Sequence, residues 1–222
     1  MLEGPREDVV AAIDRLVEEL LSAAGVVQPP VDAVQLARKH LGIVAGPKRR
    51  GGPEQLTEEQ RQWAAAQKIS GQLTHALLER LGTTAEEFRG LLRESLPRLF
   101  AARLLVPTGW FAEDARALDC DIAALKARYA TAAHETVALR LLDLPEPCAI
   151  TVFDNGHITR RRSNAWPVTR RLATAEQECQ EYVSHYSRPH RVRRDGWTAH
   201  GWPVHTADWK REIVRSVWDE WG

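Results

Sequence analysis

The strongest constraint in this chain is a change of hydrophobic period near residue 149. Up to that point apolar residues recur every three to four positions, the spacing of helices that bury one face. At 149–162 the pattern becomes ITVF, Asp154-Asn155-Gly156, HITRRR, two β runs joined by an Asn-Gly type tight turn. A chain that is helical first and pairs strands later belongs to the α+β class, here mainly α.

The helical part divides at its punctuation. Residues 7–24 place Val9, Val10, Ile13, Leu16, Val17, Leu20 and Leu21 on one face, and Gly25 ends the run. A shorter helix follows within PVDAVQLARKHLGI, stopped by Gly42. The stretch AGPKRRGGPEQ (45–55) reads as a loop. Thr57 with Gln60, Thr84 with Glu87, and Thr174 with Gln177 each have capping-box spacing and open a helix. Pro97 is expected to kink or split the second of these. Two helices, separated near Thr131, fill 119–144. At the end, DWKREIVRSVWDEW has Trp209, Ile213, Val217 and Trp221 near one face and predicts a last amphipathic helix.

Composition excludes several classes. Lys+Arg and Asp+Glu are both 30, so no global field favours nucleic acid or a membrane surface. Cys120, Cys148 and Cys179 are odd in number and match no CxxC spacing, which points to free thiols in a reducing compartment. Acids throughout the first residues argue against a signal peptide, and no apolar run approaches the roughly 20 residues of a membrane span. A cytoplasmic protein is expected.

Three segments, in their order and spacing, resemble the ImmA/IrrE zinc metallopeptidases. PPVDAVQLARKHLGI (29–43) is similar to the helix that opens the family domain. ESLPRLFAARLLVP (94–107) resembles the family's glutamate, Phe-Ala and Leu-Leu before a proline, with Pro97-Arg98 where the family has Ala-Asn. DIAALKARYATAAHETVALRLLDL (121–144) is similar to the helix pair that follows, and AITVFDNGHITRRRSNAW (149–166) to a hairpin found in some members. The resemblance implies a zincin-like helical domain over 29–145, after an N-terminal helix (1–28) and before a hairpin-plus-helix element (146–222).

It also implies a zinc site on a helix bearing HExxH. Two histidines one turn apart grip the metal, the glutamate between them activates water, and a later glutamate completes the ligand set. Here that helix reads RQWAAAQKISGQLTHALLERL (61–81) and HExxH is absent. In one register Gln67, Lys68 and Gly71 occupy the motif. In the other Gly71 and Gln72 replace the first pair and His75 keeps the second ligand. Glu94 matches the third ligand in both. Neither register retains the first ligand or the general base, so no cofactor is expected, although zinc serves the parent family. The resemblance then implies a regulatory pseudopeptidase that binds a protein partner, such as a helix-turn-helix regulator, through the former substrate cleft. The alternatives are an active zinc endopeptidase drawing on His75, Glu94 and a C-terminal histidine, or a nucleic-acid-binding module.

That last alternative rests on Arg160, Arg161, Arg162, Arg170, Arg171, Arg188, Arg191, Arg193 and Arg194, interleaved with Trp166 and Trp197; Lys48-Arg49-Arg50 would add to it. Arginine with aromatics suits phosphate contact and base stacking. The intervening Glu176, Glu178 and Glu181 favour salt bridges within the chain instead. Six of the eight tryptophans lie between 166 and 221, and packing of the hairpin on the last helix is preferred over a partner surface. His134-Glu135 lacks the second histidine of HExxH. His185, His190, His200 and His205 are spaced by five or ten and share no helical face, so surface or interface roles are expected.

Overall fold

The computed structural model describes residues 4–42, 56–82, 96–206 and 208–219, with side chains from Val9 onward. Eight helices and a five-stranded antiparallel sheet among them make an α+β fold, mainly helical, as the period change predicts. The loop at 45–55, the Thr84 cap, Glu94 and Trp221 lie outside the described residues. The chain divides into two compact units, Met1–Ala117 with Ala127–Ala133, and Leu118–Lys126 with His134–Gly222.

The first unit is helical. In α1 (Gly4–Ala23), Val9, Ala12, Ile13, Leu16, Val17 and Leu21 are buried, the face that the spacing marks. Asp32 caps α2 (Ala33–His40) by accepting from the Gln35 N–H at 2.9 Å. Thr57 and Gln60 form the expected capping box at the start of α3 (Glu58–Arg80). Pro97 lies in α4 (Leu96–Leu105), and the preceding helix that it is expected to kink or split is outside the described residues. One buried charge ties the unit together. Arg103 donates to both Asp14 carboxylate oxygens at 2.9 Å and to Thr108 Oγ1, at the head of α5 (Thr108–Ala117), at 3.0 Å. Tyr129 packs edge-on to Phe111 and donates to Asp114. No described helix is long and apolar enough to cross a membrane.

The second unit holds the sheet. Helices α6 (Ile122–Arg128, shared between the units) and α7 (His134–Arg140) precede β1 (Ala149–Asp154) and β2 (His157–Ser163). Asn155 and Gly156 both have positive φ, the backbone an Asn-Gly hairpin requires. Helix α8 (Thr174–Tyr186) follows, capped by the Glu176 carboxylate accepting the Ala173 N–H at 2.7 Å, one residue before the Thr174–Gln177 pair. Then come β3 (His190–Arg194), β4 (Trp197–Pro203) and β5 (Arg211–Trp218), in the sheet order β2-β1-β5-β4-β3.

One expectation is corrected here. The C-terminal segment is not a helix: Arg211–Trp218 is β5, paired with both β1 and β4. Burial of Glu212, Ile213 and Val214 in succession shows a strand covered on both faces, which erases the alternation that would mark it from sequence. The β3–β4 hairpin turns at Asp195-Gly196, which carries the same signature as Asn155-Gly156 and takes the same positive φ at both positions.

Side chains alternate across the sheet. Phe153, Ala199 and Val214 face α8 and meet its Ala175, Cys179 and Val183 in one core. A Cβ on Gly201 would come within 2.9 Å of both Cys179 Sγ and Val183 Cγ2, so glycine there lets α8 settle on β4. Ile150, Val152 and Ile213 are buried on the opposite face, where α7 lies against β1 and β5.

Candidate functional site

Helix α3 buries Gln62, Ala66, Ile69, Ser70, Leu77 and Leu78. The motif positions follow from that phase. Lys68, Gly71, Gln72 and His75 are exposed, and Gln67 is half-buried. A Cβ on Gly71 would meet nothing within 4 Å. The His75 side chain is 85% exposed, with Nε2 3.3 Å from Glu79 Oε1 one turn on. Gln62, one of two buried polar residues of this helix with Ser70, is occupied structurally: its Oε1 accepts from the Val34 N–H, and its Nε2 donates to Asp32 and Glu58.

At the positions that the sequence resemblance aligns with zinc ligands and a base, one register presents an amide, an ammonium and a bare Cα, and the other a solvent-facing imidazole with no ligand one turn before it; Glu94 lies outside the described residues. Among the described residues no group of three His, Cys, Asp or Glu side chains is placed to hold a metal ion.

In the second unit the arginines separate into two kinds. Arg160 pairs with Glu135 at 2.7 Å, Arg193 with Asp219 at 2.9 Å, Arg194 with Glu178 at 3.0 Å and Arg191 with Asp119 at 3.4 Å. Arg161 is only 10% exposed and donates to Glu176 and Thr151, both at 2.8 Å. Arg162, Arg170, Arg171 and Arg188 are exposed and pair with no described residue. Trp166, Trp197 and Trp218 stack edge to face at centroid separations of 5.5 and 4.9 Å, and Trp218 keeps about half of its surface open. Trp202 and Trp209 donate their indole N–H groups to Asp121 and Asp154. All five rings therefore have a ring or carboxylate partner, with Trp209 and Trp218 each about half exposed.

The four C-terminal histidines do not converge. His185 meets Tyr186 edge-on, His190 stacks on Tyr182, and His200 lies against Trp202. Burial, and then the Arg191 charge, push the His200 imidazole below its ordinary pKa. His205 differs. Its Nδ1 lies 3.1 Å from Ser187 Oγ and its Nε2 lies 3.0 Å from Glu212 Oε1. Neither Ser187 nor Glu212 stands out in the sequence. The available hint is a serine, where glycine is usual, between the end of a helix and Pro189.

With the architecture in view, the class is that of a two-unit α+β protein without a membrane-spanning helix among its described residues. Among solved structures, a Mycobacterium tuberculosis transcriptional regulator shares this fold: TM-score 0.60, 22% identity, covering 96% of this chain and 80% of that one. No family model matches the chain, and no curated protein does either.

Proposed function

We propose that this chain is a regulatory protein that acts by binding another protein, built on a degenerate ImmA/IrrE-like scaffold in which α3 serves as a contact surface. The carrying observation is the outward stripe of Lys68, Gly71, Gln72 and His75, at the positions where the parent family needs converging ligands and a base. The fold it shares with a transcriptional regulator supports the same reading. A helix-turn-helix regulator is the partner that the sequence resemblance implies.

The test combines metal content with partner binding. Purified full-length chain dialysed against zinc is expected to retain far less than one equivalent, and to leave purified helix-turn-helix repressors uncleaved while binding one of them. Gly71→Arg, which meets open space, is expected to weaken that binding at least tenfold without loss of folding. Stoichiometric zinc that disappears on Glu94→Ala or His75→Ala would sink the reading.

Nucleic acid is the second reading, supported by the exposed Arg162, Arg170, Arg171 and Arg188, which pair with no described residue. It requires binding that falls steeply with salt and weakens when Arg170 and Arg171 are replaced.

A further inference from the structure

We propose that Ser187, His205 and Glu212 form a serine nucleophile, base and orienting carboxylate that cleave carboxylic esters. All three belong to the second unit, and none is within the α3 surface discussed above. Glu212 starts at the bottom of the chain of contacts. It is fully buried on β5, its Oε1 meets His205 Nε2, and its Oε2 has no partner. A carboxylate removed from water at that cost, with one neighbour, fixes that neighbour's state. Taken as the acceptor of this bond, Glu212 puts the imidazole proton on Nε2. Nδ1 is then left with its lone pair directed at Ser187 Oγ, and the hydroxyl donates to it. That is the tautomer a general base requires.

Ser187 itself sits in an unfavourable conformation. It caps α8 at φ 52°, ψ 39°, the left-handed region where helices usually place glycine. A serine held there needs an offsetting interaction, and the bond to His205 supplies one. The Ser187 side chain is exposed and reachable by a substrate. Lys210 Nζ donates to the Ser184 carbonyl at 3.1 Å, and the exposed Arg188 follows Ser187 directly. Lys210 thereby brings positive charge to the carbonyl end of α8, where a developing oxyanion would otherwise meet only negative dipole ends.

The chemistry balances without a further reactant. Ser187 Oγ bonds to the acyl carbon while its proton passes to His205 Nδ1. The ester C–O bond breaks, and the same proton leaves with the alkoxide as an alcohol. Water, deprotonated by Nδ1, then attacks the acyl-serine, releases the acid and restores the hydroxyl. Ser187 and His205 are the catalytic residues; Glu212 is a positioning residue.

The experiment uses the full chain and a fluorophosphonate probe, with labelled serine located by peptide mapping and 4-nitrophenyl acetate turnover read in parallel. Labelling is expected at Ser187, falling by about 10²-fold or more in His205→Ala and at least tenfold in Glu212→Gln, each measured at a temperature where its own unfolding curve shows the variant fully folded. Ser187→Gly guards against misfolding, because glycine suits the left-handed cap: it is expected to abolish labelling while the midpoint holds or rises. No labelling of the folded wild type, or labelling of Ser187 that survives His205→Ala, overturns the proposal.

Discussion

Two glutamates lie buried against the same helix, and their surroundings differ completely. Glu176, in the first turn of α8, is 1% exposed, and both of its oxygens are used: Oε2 accepts from Arg161 and the Ala173 N–H, Oε1 from Ser216 Oγ at 2.6 Å. Glu212, on β5 near the other end of the helix, is 0% exposed, holds only His205, and leaves Oε2 unpaired. A fully satisfied buried network fixes a fold; a half-satisfied one keeps its charge for something else. The sheet thus has an anchored end and a poised end under one helix.

The largest effect is expected at the anchored end. Glu176→Ala strips the partner from the nearly buried Arg161, and leaving such a charge uncompensated costs about 3–5 kcal/mol. Glu212→Gln removes a buried charge whose second oxygen had no partner, so its cost is expected to stay within about 1 kcal/mol. Urea unfolding of both variants checks the contrast. Equal losses would make Glu212 a second structural anchor and end the distinction.

Gly201→Ala comes next, because it acts at the middle of the helix, between the two ends. The new methyl would collide with Cys179 Sγ and Val183 Cγ2, and overpacking of this kind costs about 1–3 kcal/mol. Cys179 reports where the helix goes. Burial, then the Glu176 charge, push its thiol up to about 12, so native protein at pH 8 is expected to leave it unmodified by a thiol reagent. In Gly201→Ala it should react measurably faster. If it does not, α8 is held from its ends and the close approach at Gly201 is incidental.

The helical unit was largely legible because local signals and packing agree there. The buried face of α1, the Thr57–Gln60 box and the hairpin turn at Asn155-Gly156 are each set by neighbours within a few residues. The sheet was legible only at that hairpin. Strand β5 is central, so both its faces are covered and Glu212 in its buried run looks like a helix's solvent side. The partners of the arginine stretch were hidden from any local pattern: Glu135, Asp219 and Asp119 are separated from Arg160, Arg193 and Arg191 by 25 or more positions. Ser187, His205 and Glu212 meet only through the turn of the sheet, and Lys68, Gly71, Gln72 and His75 needed the phase of α3 to be placed on its outer face, with Gln67 at its half-buried margin.

The smallest effect is expected beside the poised end, at the β1–β5 edge. Arg211 donates to both oxygens of Asp154 at 2.6 and 2.9 Å, and the Trp209 indole adds a third bond. The Arg211 hydrogen bond, with help from Trp209 and Thr159, holds the Asp154 carboxyl below the usual aspartate value of 3.8. A depressed folded pKa means that this stabilisation is present above about pH 3.8 and is lost as pH falls through the lower folded value. Asp154→Asn is therefore expected to cost about 1 kcal/mol at pH 7, since Arg211 keeps Glu135 at 3.3 Å as a partner. The difference from wild type should shrink as the solution is acidified below pH 4, read as thermal midpoints of the two proteins over pH 2–7. Serine labelling at neutral pH is expected to survive this substitution, because Asp154 touches none of Ser187, His205 and Glu212. If it is lost together with the acid-sensitive stability, the poised end is a single coupled network, and Glu212 owes its half-empty coordination to Arg211 and Asp154 rather than to His205 alone.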